Sequence, residues 1–170
     1  MPPEIQTLID RFTQDAMQDL KESGQIPASC YIIKDGTIYL ISRSIHTEED
    51  QQQYGEITKL VTKSVNADFV VQAIDMELRD LADPKEKIIE VLAIISHTPD
   101  GKAYTSMYRI NRTKNGSVVF ISEYLNQQKY QIKGFAPSPF DYNDTLFSVE
   151  CIREVDMMLK PSKARLLRAV

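Results

Sequence analysis

Apolar residues recur at helical spacing over 4–23. Ile5, Leu8, Ile9, Phe12, Ala16 and Leu20 line one face, while Asp10, Gln14, Gln18 and Glu22 line the other. Pro2 and Pro3 precede this helix, and Gly24 stands at a natural stop. The period then drops to two. Apolar runs at 29–34 and 37–43 flank Asp35-Gly36, a dipeptide suited to the positive φ angles of a type I′ turn, so the segment predicts a hairpin. Thr47 can cap a second helix over 48–65, with Glu48, Glu49 and Asp50 complementing the positive end of its dipole. Tyr54, Ile57, Leu60, Val61 and Val65 form its apolar stripe, and Asn66 can end it.

From Ala67 to Leu125 the pattern predicts four consecutive strands, at 68–79, 87–97, 103–112 and 117–125, with Asp83-Pro84, Asp100-Gly101 and Asn115-Gly116 in the connections. Taking the last two as two-residue turns sets His97 opposite Tyr104, Ile95 opposite Ser106 and Ile110 opposite Ile121. One face then collects Phe69, Val71, Ala73, Ile89, Val91, Ala93, Ile95, Tyr108, Ile110, Val119 and Ile121. The other collects Val70, Ile74, Met76, Leu92, Ile94, Met107, Val118, Phe120 and Tyr124. A sheet with one wet face alternates cleanly between apolar and polar positions, and this one does not, so both faces need a cover. Burying a side chain the size of Leu or Phe is worth roughly 1.5–3 kcal/mol, and a bare second face would forfeit more than typical net stability.

Beyond the meander, residues 129–134 suggest a short strand, and Phe135, Phe140 and Tyr142 share a loop stiffened by Pro137 and Pro139. The bland role for that loop is to cover the sheet. A third helix is expected over 145–159, with Leu146, Val149, Ile152, Val155 and Leu159 buried. Pro161 ends it. The basic tail 160–170, with Lys160, Lys163, Arg165 and Arg168, is expected to fray as a solvated terminus. The expected fold is therefore α+β: one domain over 1–170, with an antiparallel sheet (a hairpin plus a four-strand meander) and helices packed on both faces.

Composition narrows the function classes. The net charge is -4, so neither nucleic acid nor an anionic membrane is an expected partner of the whole domain. No apolar run approaches the roughly 20 residues that span a bilayer, and the opening residues lack the basic and apolar regions of a secretory signal. Cys30 and Cys151 fall in different elements and read as free thiols, which fits a cytoplasmic setting.

The candidate chemistry is sparse. Asp75 and Glu77, two apart on one strand, point to the same face and could hold a divalent cation. The expected register puts Glu90 on the opposite face, beside Asn111 and one step from Arg109, which weakens a metal centre. His97 ends an apolar strand near Tyr104, but a general base needs a nucleophile or a metal in reach, and none is placed there. A turn-stabilising role is the better reading for His97, and His46 before the second helix reads as blandly. Cys30, in an apolar strand, behaves as a small hydrophobe. No glycine-rich phosphate loop is present, and no cofactor is implied.

The order helix, hairpin, helix, antiparallel strands, helix resembles the roadblock and profilin-like group, in which a central antiparallel sheet carries helices on both sides. The segment from Ala67 to Gly101 also resembles a stretch of bacterial proteins of similar length with no established activity, so no functional residues carry over. The expectation is a non-enzymatic interaction module that pairs with a second copy, through helix 48–65 or an exposed strand edge, or with one other protein. The alternative is a small-ligand binder or metal-dependent enzyme, with a pocket bordered by Asp75, His97, Tyr104 and the 135–142 loop.

Overall fold

The computed structural model describes residues 3–78, 88–121, 138–142 and 145–160, with the side chains of 120 and 121 left aside. The chain runs α1 (Pro3–Ser23), β1 (Ala28–Lys34), β2 (Thr37–Arg43), α2 (Glu48–Val65), β3 (Phe69–Leu78), β4 (Ile89–His97), β5 (Ala103–Arg112), β6 (Val118–Ile121) and α3 (Val149–Leu159). The strands form one antiparallel sheet in the order β2-β1-β3-β4-β5-β6. The hairpin β1-β2 thus flanks the meander, and α2 carries the chain back to lay β3 against β1.

Local chemistry explains the boundaries. At the end of α1, Gly24 takes φ +78° and its N–H bonds the Leu20 carbonyl at 2.9 Å. The β1-β2 turn has positive φ at both Asp35 and Gly36, as a type I′ turn requires. Thr47 and Asp50 form a reciprocal capping box at the start of α2, and Asn66 closes it in the left-handed region.

The sheet is covered on both sides. On the first, α1 buries Ile9, Phe12, Ala16 and Leu20 against Phe69, Val71, Ala73, Leu92, Ile94 and Ile110. On the second, Tyr54, Ile57 and Val61 of α2 and Cys151 and Val155 of α3 pack on Cys30, Ile32, Ile41 and Val70. Leu78, Val91, Ala93, Ile95 and Met107 continue the buried surface of that side, with Ile74 half-buried among them. Every residue of β4 from Val91 to His97 is buried, so this strand is the centre of both cores.

The register differs from expectation by one residue in both hairpins. Ser96, not His97, faces Tyr104; Ile94, not Ile95, faces Ser106; Ile110 faces Phe120, not Ile121. The cause is the turn. Thr98 donates to the Lys102 carbonyl, and Gly101 (φ +80°) donates back to Thr98, which makes a three-residue loop with glycine in the left-handed position. Thr113, Gly116 and Ser117 repeat the arrangement. Each extra loop residue reverses facing parity, so β4 and β6 exchange faces relative to the two-residue expectation. Leu92 and Ile94 join Phe69 and Tyr108 under α1, while Val91, Ala93 and Ile95 join Val70.

α3 also differs. It begins at Val149 behind the cap Ser148, and its buried residues are Cys151 and Val155. Leu146, Val149 and Ile152, expected inside, are exposed. Among the described residues no helix is long and apolar enough to cross a membrane. The strand expected at 129–134, Phe135 and the tail beyond Lys160 lie outside the described residues.

Candidate functional site

The corrected register moves the carboxylates. Glu77 pairs with Glu90 across β3 and β4, so Asp75, Glu77 and Glu90 share the α1 side rather than splitting between faces. The neighbour of Glu90 is Arg112, not Asn111 or Arg109. Arg112 Nε donates to Glu90 at 2.8 Å, and its second terminal nitrogen donates to the Gly24 carbonyl at 2.9 Å. This guanidinium joins the end of α1 to the edge of β4 and β5, where a cation suits the negative end of the helix dipole. Partial burial raises the Asp75 pKa, against an opposing hydrogen bond from the Ile26 N–H and the charge of Arg112. The group therefore reads as a charge-paired corner of the fold. Among the described residues no three His, Cys, Asp or Glu side chains are grouped to hold a metal ion.

His97 stands far from that corner. It pairs with Val70, on the α2 side, whereas Asp75 projects to the α1 side five residues along β3, roughly 17 Å away. Tyr104 pairs with Ser96 on the α1 side and is exposed, so it does not face His97 either. A single pocket bordered by Asp75, His97 and Tyr104 is not formed. His97 is buried with no partner for Nε2, and burial pushes its pKa down to about 4.

The α2 side holds polar groups that sequence reasoning missed. Gln72 lies between Cys30 and Ile95 in the sheet, diagonal to His97. Above it come Tyr54 and Thr58 of α2. The Tyr54 hydroxyl is held protonated first by burial and is flanked by Cys30, Gln72 and Thr58. Tyr54 Oη, Thr58 Oγ1, Gln72 Oε1 and His97 Nε2 are all buried without a hydrogen-bond partner of normal geometry. An unpaired buried polar group is destabilising, so two such groups on the sheet and two on α2 above it form a distinct feature, with Tyr54 within reach of Gln72 and Thr58. The signal in the sequence was Gln72 interrupting the apolar run Phe69–Ile74.

Neither thiol is set up as a nucleophile. Burial raises the pKa of Cys30, and burial with the nearby Glu56 carboxylate raises that of Cys151. The described part of the aromatic loop packs inward: Phe140 lies on the α2–α3 core, and Tyr142 lies under Lys63, with Nζ 5.9 Å from the ring centre.

A further surface feature is the outer edge of β2. Ile38 and Leu40 are 42% and 55% exposed, and among the described residues no strand pairs with that edge. Val149, Ile152, Met157 and Met158 of α3 are exposed as well. Arg43, the last residue of β2, bonds Gln53 at 3.0 Å and is ion-paired with Glu154 of α3, which ties that helix to one end of the strand. No family model, curated protein or solved structure matches the chain.

Proposed function

We propose that this chain is a non-enzymatic protein-interaction module that associates with itself. The observation that supports it best is the exposed apolar edge of β2, which no strand covers among the described residues. Natural sheets guard such edges with charge, proline, bulges or a covering element, because an open row of N–H and C=O groups recruits another strand. β2 runs in continuous register with β1 from Thr37 to Arg43 and carries no proline. The exposed apolar residues of α3 offer a second contact surface. Sedimentation velocity of the full chain over a micromolar dilution series tests the reading: a concentration-dependent dimer is expected, and a monomer throughout overturns it.

A second reading is a binder of a small polar ligand. His97 Nε2, buried without a partner, and the loosely bonded group of Tyr54, Thr58 and Gln72 beside it favour it, since a ligand bearing both donors and acceptors would satisfy them. A thermal-shift screen of small polar metabolites is its test. A stabilisation that vanishes in Gln72→Leu supports it, and no shift with any compound counts against it.

A further inference from the structure

Resting on the self-association reading, we infer that two copies join by antiparallel pairing of β2 with β2, about a two-fold axis through Leu40. The geometry follows from the hairpin. Lys34 and Thr37 close the two-residue turn as a hydrogen-bonded pair, so Thr37, Tyr39, Ile41 and Arg43 aim their backbone groups at β1. The alternate residues Ile38, Leu40 and Ser42 aim theirs outward. The other side of β1 shows the same parity: the Ile33 carbonyl turns away from β2 and accepts from the Asp68 N–H at 2.8 Å.

Only those three outward residues can bond a neighbouring strand. Placing Leu40 opposite Leu40 of a second copy also sets Ile38 opposite Ser42 twice. Every outward donor and acceptor of the strand is then used. A shift of the axis by one pair in either direction leaves an outward residue without its partner. The side chains agree with this register. Tyr39 falls opposite Ile41 and Thr37 opposite Arg43, so no pair along the strand sets like charges face to face. On the α1 side the exposed Leu40 meets Leu40 of the second copy directly, and the exposed Ile38 meets that Leu40 on the diagonal. The contact is isologous, closes with two subunits and leaves neither β2 edge open. One strand pair is a small interface, so micromolar association is expected rather than nanomolar.

The experiment uses the full chain as Leu40→Lys, as Leu40→Glu and as an equimolar mixture of the two, read by sedimentation. Two Lys or two Glu side chains would meet at the axis, and each variant alone should dimerise about 100-fold more weakly than the unmodified chain. The mixture should recover a one-to-one heterodimer, because opposite charges then meet. That recovery also shows that the variants fold. Variants that dimerise as the unmodified chain does, or a mixture that stays monomeric, overturn this pairing while leaving self-association by another surface standing. An unmodified chain that is monomeric at every concentration overturns self-association itself.

Discussion

Acid should weaken this fold in a window that one side chain sets. His97 is 4% exposed and has no hydrogen-bond partner at Nε2, and burial lowers its pKa from 6.5 to about 4. In the unfolded chain the ring regains its ordinary value near 6.5. Between the two values the unfolded chain binds more protons than the folded one, so stability falls as pH falls. Above the unfolded value the contribution is complete, and below the folded value its loss is complete. With these two values the loss is about 2 kcal/mol between pH 7.5 and pH 5 and about 3 kcal/mol in full. The lowered carboxylates Asp50, Asp68 and Asp100 are surface groups that lose their contribution further down, below the ordinary carboxylate range. Asp75, raised by burial, acts in the opposite sense and gains as pH falls. The assay is urea denaturation from pH 7.5 to pH 5 on the unmodified chain and on His97→Leu. The unmodified chain should lose about 2 kcal/mol more than the variant across that range. Parallel pH profiles, or a His97 resonance that titrates near 6.5, would refute the reasoning.

Three further outcomes are expected. Leu92→Ala, at a fully buried position under α1, should lower unfolding free energy by about 2–5 kcal/mol, whereas Val149→Ala on the exposed side of α3 should change it by less than about 0.5 kcal/mol; denaturant midpoints measure both. Thr47→Ala removes the side-chain half of the α2 capping box and should lower stability by about 1 kcal/mol in the same assay. Cys30 and Cys151 should resist a thiol-specific reagent in the native protein and react together in denaturant; rapid native labelling of either would contradict its burial.

Much of the fold was legible in the chain because several local signals agreed. The α1 stripe, the Asp35-Gly36 hairpin, the Thr47 cap and the doubly apolar meander each rest on short-range chemistry, and the structure repeats them. The register of β4 was not legible, for a physical reason. A one-residue slip normally drives polar residues into a core, but β4 is buried on both faces and either parity satisfies the hydrophobic pattern. Only loop length decides it, and Pro99-Asp100-Gly101 is consistent with a two-residue or a three-residue turn. That slip moved Glu90 into the company of Asp75 and Glu77, and it parted His97 from Tyr104. The α3 stripe differs because the helix begins at Val149 behind the Ser148 cap, not at 145, and its phase is set by packing on α2 and the sheet. That packing turns Cys151 and Val155 inward and leaves Val149 and Ile152 outside. The polar groups under α2 could be glimpsed only at Gln72. Helical spacing places Tyr54 in the apolar stripe, and the burial of Thr58 and Thr62 follows from tertiary packing.

Amide hydrogen exchange along β2 is the most direct test of the proposed β2–β2 contact. In a free subunit the N–H groups of Ile38, Leu40 and Ser42 face solvent, while those of Thr37, Tyr39 and Ile41 are bonded to β1. At high protein concentration all six should exchange slowly. On dilution the first three alone should become fast. Exchange of Leu40 that is fast at every concentration, or slow at every concentration, would contradict a second copy on that edge.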